Sequence, residues 1–466
     1  MRNLNPLKKQ KNMEYKKFLE TKKHLLGSFG FEPNYIPNMA FDFQKEIITR
    51  ACKKGRMAVF ADTGLGKTLI QLSLAQNVVN HTQGKVLILT PLAVAFQFII
   101  EAEKMGITDI EYSKDGNYSK NIVICNYERL HYFNSEDFKG VVLDESSILK
   151  NFDGKIKNQI TSFVKKLPYR FLSTATPSPN DFIELGTSSE ALGYMGYTDM
   201  LGKFFKNNNN SIDPKHAGEK WYLKPHAEND FFAWVNQWAL MVKMPSDLGF
   251  SDEKYNLPEL IENQYIVKNN KPLAINGQEQ LFNFPAINFF EIKAETRNTI
   301  NERCEKAVEM ANKHNTSVYW VNLNDEAKII GELDKKTYEI KGSMNIDKKE
   351  ELLVAFSKGE INKLITKTKI TAFGLNWQHC NHTTYFPTYS YEQYYQSIRR
   401  FWRFGQKNNV IVDLILSDGQ TKIMESLKIK KKKASEMFIN LSKNVNSIYE
   451  IQKKEFTEQI IKPKFI

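Results

Sequence analysis

Short apolar runs alternate with amphipathic segments in the first part of the chain. Between residues 56 and 178 the runs are MAVFA, KVLILTP, NIVICNY, GVVLDES and YRFLSTATP, each bounded by Gly, Pro, Asn or Asp. Such continuous apolar runs are typical of parallel strands that are buried on both faces. Because amphipathic segments of crossover length lie between the runs, the pattern predicts a parallel sheet covered by helices.

A second region of the same kind begins near residue 296. The segments ETRNTINERCEKAVEMANKH, NDEAKIIGEL and NIDKKEELLVAFSKG have helical apolar spacing, and Asn345 or Asp347 is a suitable N-cap for the last one. The runs TSVYWVNLN, TYEIKG, KLITKT, HTTYFP and NVIVDLIL predict strands. The fold class is therefore α/β, with two parallel-sheet domains in tandem.

The residues between these regions are aromatic and poorly periodic. KFFKNNNNSIDPK predicts an exposed loop. The nearby tryptophans favour a small apolar core over a base-stacking platform. The predicted organisation is a first domain at 1–190 that includes an N-terminal helical extension, an insertion or linker at 191–300, a second domain at 301–420 and a basic helical segment at 421–466.

Charge and cysteine content narrow the class of protein. The 466-residue chain has a net charge of +12, and residues 421–466 contain 11 Lys and 5 Glu, which gives +6 there. A basic excess favours a phosphate-rich partner, although a solvated lysine-rich face is the alternative. The four cysteines form no CxxC pair, which argues against a zinc knuckle or a disulfide framework. No secretory signal or transmembrane stretch is expected.

One glycine-rich segment follows the first predicted strand. ADTGLGKT lies between MAVF and the helical segment LIQLSLAQNV, which is the context of a phosphate-binding loop. Glycines here let backbone N–H groups approach phosphate oxygens, and the helix N-terminus adds partial positive charge. The alternative is a glycine turn with an incidental lysine, and Ala61 stands where the general pattern begins with glycine. The predicted nucleotide-binding residues are Thr63, Gly64, Leu65, Gly66, Lys67 and Thr68.

Two adjacent acids end a later strand. Asp144 and Glu145 lie in VVLDESS, and Asp144 follows Thr68 by 76 residues. Because ligands bind at the carboxyl ends of parallel strands, these acids should face the phosphate loop. Asp144 could then hold Mg²⁺, together with the hydroxyl of Thr68, and Glu145 could orient the attacking water. Alone such a pair is common, but after a phosphate loop it predicts ATP hydrolysis.

These segments resemble motifs I, II and III of superfamily 2 helicases, with STATPSPNDFIEL as motif III. The likeness is greatest to the Swi/Snf-like branch, through TPLAVAFQFIIEAEKMG, ICNYERL and the Lys150–Asn151 pair that follows motif II. Gln44 lies 23 residues before Lys67, where the family keeps an adenine-binding glutamine. The resemblance covers about residues 40–190 and 315–420.

The second region completes the resemblance. TKTKITAFGLNWQHCNHTTYF is similar to motif V, and QSIRRFWRFGQ is similar to motif VI. The motif VI spacing selects Gln396, Arg400 and Arg403 and passes over Arg399. Two arginines three residues apart should share one face of a helix and face the phosphates, with Arg399 turned about 100° away. The aromatic residues of this segment, Phe401, Trp402 and Phe404, should pack on their own domain.

The resemblance implies two RecA-like domains in tandem with an inserted, mostly helical segment, and an ATP-dependent DNA translocase or helicase that uses ATP and Mg²⁺. It implies catalytic roles for Lys67, Asp144, Glu145, Gln396, Arg400 and Arg403. The implied DNA partner is double-stranded and bound with low sequence specificity. The residues expected to contact its backbone are Thr90, Pro91, Tyr127, Thr368 and Lys369.

Several alternatives stay open. The chain could be an RNA helicase, the motor subunit of a nuclease or restriction assembly, or a non-catalytic nucleic-acid binder. Its compact length, asparagine loop and MPSDLGF segment are similar to helicases carried by bacteriophages, which implies a monomer in the host cytoplasm with a replication or nuclease partner. Ser147 departs from the family, where a histidine often links hydrolysis to motif III, and a serine has a shorter reach.

Overall fold

The computed structural model describes residues 29–91, 94–150, 154–178, 181–208, 220–268, 274–275, 278–279, 289–371 and 376–432. The predicted N-terminal extension over residues 1–28 and the basic segment beyond residue 432 lie outside the described residues. So do residues 209–215 of the predicted asparagine loop, and Gly374 and Leu375 of motif V. The first part of the loop prediction is wrong, because Lys203 and Phe204 end a helix and Phe205–Asn207 form a strand.

Seven parallel strands form the sheet of the first domain. The strands of this part of the chain are β1 (Arg56–Ala61), β2 (Lys85–Thr90), β3 (Ile110–Tyr112), β4 (Ile122–Asn126), β5 (Phe138–Asp144), β6 (Tyr169–Ser173), β7 (Phe205–Asn207), β8 (Trp221–Leu223) and β9 (Ala239–Val242). The sheet has the order β3-β4-β2-β5-β6-β1-β9, and β7 and β8 form a separate antiparallel hairpin. All five predicted strands of this domain are confirmed.

Helices cover both faces of this sheet. They are α1 (Asp42–Lys54), α2 (Lys67–Thr82), α3 (Ala95–Lys104), α4 (Lys155–Val164), α5 (Leu185–Leu192), α6 (Tyr197–Phe204) and α7 (Glu228–Asn236). Apolar residues of the first three helices join one core cluster, and those of the last four join another. Because the strands are buried between these two layers, they are apolar at nearly every position.

The second domain contains a six-stranded parallel sheet. Its strands and the small hairpin near them are β10 (Leu260–Val267), β11 (Ala274–Ile275), β12 (Gln278–Glu279), β13 (Ser317–Trp320), β14 (Thr337–Ile340), β15 (Lys363–Thr366), β16 (His382–Tyr385) and β17 (Val410–Ser417). The order in the sheet is β10-β17-β16-β13-β15-β14. The two parallel sheets in tandem confirm the predicted α/β fold class.

The helices of the second domain follow the predicted alternation. They are α8 (Phe289–Asn298), α9 (Ile300–Ala311), α10 (Asn324–Leu333), α11 (Ile346–Ser357), α12 (Thr368–Thr371) and α13 (Tyr391–Ile398), and residues 421–432 are also helical. The sequence predicted a single helix over residues 295–314, which covers the last four residues of α8 and all of α9. In the structure it is interrupted at Thr299, whose hydroxyl donates to the carbonyl oxygen of Glu295 at 2.8 Å.

The segment predicted as an insertion, 191–300, contributes a strand to each sheet. In the first sheet, β9 pairs with β1 in the register Ala58 to Ala239. In the second sheet, β10 pairs with β17 over eight positions. Trp234 and Trp238 are buried in a core cluster of the first domain, as expected for apolar packing. On this pairing we propose that the chain passes from one domain to the other between residues 243 and 259.

Two properties expected from composition can be compared with the structure. All four cysteines are free and buried. Among the helices of the described ranges, none has the length and apolar character needed to span a bilayer.

Candidate active site

A cleft of about 360 Å³ is lined by residues of both domains. On the first domain it lies at the carboxyl ends of the strands, where β1 and β5 lead into the phosphate loop and the acidic pair. The predicted residues that line it are Gln44, Thr63, Gly64, Gly66, Lys67, Thr68, Asp144, Glu145, Gln396, Arg400 and Arg403. Leu65 is the exception, because its side chain is buried in a core cluster of the first domain.

The phosphate loop has the backbone that its glycines predict. Gly64 has φ 93° and Gly66 has φ 77°, in the left-handed region that side chains disfavour. Helix α2 begins at Lys67, so its N-terminus points into the cleft. The Lys67 ammonium donates to the carbonyl oxygens of Ala61 at 3.1 Å and Asp62 at 3.4 Å. Burial lowers the pKa of Lys67, and Glu145 and the neighbouring acids oppose that shift.

Two neighbours hold the carboxylate of Asp144. The Gln71 amide donates to Oδ1 at 2.8 Å, and the Thr90 hydroxyl donates to Oδ2 at 3.4 Å. Burial, followed by the adjacent charge of Glu145, raises the pKa of Asp144 to about 6. Sequence reasoning missed Gln71, although it lies one helical turn after Lys67 and therefore on the same face of α2.

The backbone turns sharply at the second acid. Glu145 has φ 49°, an uncommon left-handed conformation for a residue other than glycine. Its Oε2 accepts a hydrogen bond of 3.0 Å from the Thr174 hydroxyl, and the Tyr127 hydroxyl donates to the carbonyl oxygen of Asp144. These contacts orient Glu145 toward the cleft rather than into the sheet.

The two selected arginines lie in the turns after a helix, not on its face. Helix α13 ends at Ile398, which corrects the prediction that Arg400 and Arg403 share one helical face. Both nevertheless line the cleft opposite the phosphate loop. Burial, and then Arg403, lowers the pKa of Arg400 to about 9. Burial, and then Arg399, lowers the pKa of Arg403 to about 10.

Arg399 also reaches the first domain, contrary to the prediction that it points away. Its guanidinium forms an ion pair with Asp62 of the phosphate loop, which also accepts a hydrogen bond from the Tyr395 hydroxyl. The physical reason is the helix end at Ile398, after which a spacing of 100° per residue no longer applies. Burial alone would lower the pKa of Arg399, but Asp62 raises it above its usual value.

The aromatic residues of motif VI divide between the two domains. Phe401 is fully buried and packs against Trp320 and Trp377 of its own domain, as predicted. The prediction is wrong for Phe404, whose ring lies 5.0 Å from Tyr255 and 6.5 Å from Phe41. Both of these residues belong to the core of the first domain or pack against it.

Two family models match the chain in the order of the two domains. The DEAD/DEAH box helicase model matches residues 41–184, and the helicase conserved C-terminal domain model matches residues 299–405. This chain is a nucleic-acid-stimulated ATPase of the helicase type. The first model contains the phosphate loop and the acidic pair, and the second contains the three arginines of motif VI.

Comparison with individual proteins adds little to this assignment. No curated protein sequence matches the helicase. Among solved structures it is similar to a chain described as the Sulfolobus solfataricus SWI2/SNF2 ATPase core in complex with dsDNA, with 18% sequence identity and a TM-score of 0.40. The match covers 91% of this chain and 98% of that chain.

Gln44 of the helicase is fixed against the phosphate loop. Its amide nitrogen donates to the carbonyl oxygen of Leu65 at 2.9 Å, and its amide oxygen accepts from the Phe41 N–H at 2.9 Å. The side chain is buried except where it lines the cleft. A purine in the cleft would therefore meet an amide group whose orientation is already set.

The predicted DNA contacts differ in their exposure. Thr90, Tyr127 and Thr368 are buried, and the Thr368 hydroxyl donates to Gln393 at 3.1 Å. Because Thr90 and Tyr127 bond to Asp144, their side chains hold the acidic pair in this arrangement rather than a nucleic-acid strand. Pro91 is half-buried and Lys369 is exposed. Contact with DNA at these five positions stays a prediction.

Proposed function

We propose that this helicase is an ATP-dependent motor that moves along DNA, as a translocase or strand-separating enzyme. One observation supports this most strongly. Arg400 and Arg403 of the second domain line the same cleft as Lys67, Asp144 and Glu145 of the first. An ATP site built from two domains couples hydrolysis to their relative movement, because its parts meet only when the cleft is closed.

The residues of the first domain bind the nucleotide in this proposal. The N–H groups of the phosphate loop and the Lys67 ammonium hold the phosphates, and Gln44 contacts the adenine. Thr68 and Asp144 would hold Mg²⁺, and they fit it because oxygen donors are its preferred ligands and the Asp144 carboxylate is already oriented by Gln71. Bound Mg²⁺ withdraws negative charge from the phosphate oxygens.

Glu145 and the arginines carry out the remaining steps. Glu145, held by Thr174, orients a water molecule toward the γ-phosphorus. Arg400 and Arg403 stabilise the negative charge that develops as the phosphoryl group transfers, an effect worth roughly 10³–10⁵ in rate. Their lowered pKa values remain well above neutrality, so both carry their charge under ordinary conditions.

A groove on the second domain is suitable for a phosphate backbone. It has a volume of about 510 Å³, lies at the carboxyl ends of β13, β14 and β15, and is lined by Lys328, Lys341 and Lys367. Asp325 and Glu339 also line it, so the groove carries a modest positive excess. Exposed Lys369 is two residues from Lys367. Backbone contacts of this kind would give weak sequence preference and strong salt dependence.

The finer parts of the proposal rest on the motif resemblance. These are the Swi/Snf-like branch, duplex DNA as the track, and a monomer that acts in phage replication, recombination or remodelling in the host cytoplasm. Movement along RNA remains the competing proposal, because the residues of the ATP site do not distinguish a DNA motor from an RNA motor. A motor subunit of a nuclease assembly would show the same ATPase, with the nuclease supplied by a partner.

Stimulation of ATP hydrolysis by added nucleic acid tests which nucleic acid the motor moves along. We expect hydrolysis to rise with duplex DNA and to be lost in Lys67→Ala. Greater stimulation by RNA than by duplex DNA would contradict the DNA assignment, and hydrolysis in Lys67→Ala would contradict the site. Displacement of a triplex-forming third strand without displacement of a duplex strand would identify a translocase, and displacement of both would identify a helicase. Displacement of neither would refute the motor.

A further inference from the structure

Residues 399–405, here called the arginine loop, contact the phosphate loop at two points. Arg399 pairs with Asp62 at one end, and Phe404 lies over Gly64 near the other. Arg400 and Arg403 lie between these two contacts. We infer that Arg399 and Phe404 are positioning residues, which dock the arginine loop on the first domain so that Arg400 and Arg403 reach the γ-phosphate. The inference rests on the proposed ATP hydrolysis.

The first contact has a rigid acceptor. The Asp62 N–H donates to the carbonyl oxygen of Val242 at 2.9 Å, and Oδ1 accepts from the Thr63 N–H at 2.6 Å, so the carboxylate is fixed in the phosphate loop. The Asp62 and Arg399 side chains are 5% and 9% exposed. A buried pair of this kind is costly to break, because the remaining charge loses both its partner and its solvent.

Arg399 also holds its own loop. Its Nη1 donates to the carbonyl oxygen of Trp402 at 3.2 Å, and its guanidinium lies 4.6 Å from the Trp402 ring. The ion pair with Asp62 therefore fixes the turn that carries Arg400 as well as the Arg399 side chain. Motif resemblance does not select this residue, since the family often has an acid at this position.

The second contact is a close steric fit between Phe404 and Gly64. A Cβ added to Gly64 would lie 2.9 Å from the Phe404 nitrogen and 3.1 Å from the Phe404 Cβ. The arginine loop thus passes directly over the glycine. The Phe404 ring then packs between the domains, 5.0 Å from Tyr255 at a tilt of 32°. Together the two contacts limit both the approach and the rotation of the loop.

Charge explains why such contacts are needed. Arg399, Arg400 and Arg403 lie within five consecutive residues, and Arg403 lies close enough to each of the other two for their positive charges to repel. The pKa values of Arg400 and Arg403 are both lowered by burial and then by a neighbouring arginine. Asp144 and Glu145 attract them but are assigned to metal and water. Asp62 supplies an anion that hydrolysis does not use.

Steady-state ATP hydrolysis tests the inference with Asp62→Asn, Arg399→Gln and the double variant. Asparagine keeps an oxygen that can accept from Thr63, so the phosphate loop is preserved. We expect kcat to fall roughly tenfold or more in each single variant, with KM for ATP nearly unchanged, and the double variant to be no worse than the singles. Lys157→Gln is the matched control, because it breaks an ion pair of 3.0 Å between buried Lys157 and half-buried Glu190, within the first domain alone. It should keep the kcat of the unmodified protein.

The same variants separate docking from direct catalysis. If Arg399 itself contacts phosphate, Arg399→Gln would lower kcat while Asp62→Asn would not, and this result would overturn the inference. Additive losses in the double variant would also overturn it. Unchanged hydrolysis in Arg403→Ala would instead refute the proposed arginine role, whatever the Asp62 and Arg399 variants show.

Cleft closure gives a second readout that does not depend on turnover. Because the native cysteines are buried, dyes can be attached to cysteines introduced at exposed Lys120 and Lys336, one on each domain. Energy transfer between them should change on adding DNA and a non-hydrolysable ATP analogue. We expect a smaller change in Asp62→Asn and in Phe404→Ala. If both variants show the same change in energy transfer as the unmodified protein, the docking role is overturned. A melting temperature equal to that of the unmodified protein would exclude misfolding as the cause of a smaller change.

Discussion

Replacing Asp144 with asparagine should abolish ATP hydrolysis and at the same time stabilise the fold. The substitution is nearly isosteric. In the unmodified protein the Gln71 amide donates to Asp144 Oδ1 at 2.8 Å, and it can still donate to the asparagine oxygen. Activity is lost because the carboxylate proposed to hold Mg²⁺ is gone. Stability rises because the buried carboxylate carries a charge that its surroundings only partly compensate.

The magnitude follows from the raised pKa of Asp144. A change from 3.8 to about 6 corresponds to a destabilisation of up to about 3 kcal/mol when the group is ionised in both states. A raised pKa means that the folded protein takes up its proton first as the pH falls. The penalty is therefore complete above pH about 6, shrinks as the pH falls toward about 4, and is absent below that.

Urea unfolding at pH 7.5 and pH 4.5, without nucleotide or magnesium, measures the effect. We expect Asp144→Asn to unfold at higher urea than the unmodified protein at pH 7.5, with a smaller difference at pH 4.5. Asp413→Asn is the matched control, and we expect it to lower the stability of the fold instead of raising it. Burial raises the pKa of Asp413, but the hydrogen bonds with His382 and Asn263 lower it below its usual value, so the folded protein favours the ionised form. An Asp144→Asn protein that is less stable than the original at pH 7.5 would refute the reasoning.

Three further predictions concern the active cleft and the nucleic-acid surface. Arg403→Ala should lower kcat roughly 10³-fold while a fluorescent ATP analogue still binds, and unchanged turnover would contradict its role. At limiting Mg²⁺, hydrolysis should decline as the pH falls through about 6 because Asp144 takes up a proton, and a rate that is flat between pH 7.5 and 5.5 would contradict this. Lys369→Ala should reduce the slope of log affinity against log salt by about 1, and an unchanged slope would mean that Lys369 contacts no phosphate.

The strands and the first half of the cleft could be predicted because local sequence determines them. Runs such as those of β1 and β4 are apolar at nearly every position, and few other elements of this length have that composition. The phosphate loop requires glycine at Gly64 and Gly66, so its backbone is encoded in the residues themselves. The parallel topology then brings Asp144 and Glu145 to the same edge of the sheet.

The sheet membership of β9 and β10 could not be predicted in the same way. β9 is a run of four residues that follows an aromatic helix with little turn signal between them. β10 alternates exposed and half-buried positions as an edge strand does, and its partner β17 lies 150 residues further along the chain. Which sheet a short strand joins depends on such distant partners, and a single sequence does not reveal them.

The orientation of Arg399 was missed for a related reason. The prediction extended α13 through Arg403, because neither glycine nor proline interrupts the segment before Gly405. The helix ends at Ile398, and the residues beyond it adopt turns that bring Arg399 to Asp62, a residue 337 positions earlier. The end of the helix therefore coincides with contacts to another domain.

Ser147 illustrates how a departure from a family pattern can be compensated elsewhere. Its short side chain suggested a weaker link between the acidic pair and motif III. In the structure the link begins at Glu145, which accepts from the Thr174 hydroxyl at 3.0 Å, and the Thr176 N–H donates to that hydroxyl at 3.1 Å. The Gln396 amide of the second domain then donates to the Thr176 hydroxyl at 3.5 Å. Glu145, the acid proposed to orient water, is thus connected to the arginine-bearing domain through motif III without any contribution from residue 147. A serine there does not by itself imply that hydrolysis and domain movement are uncoupled.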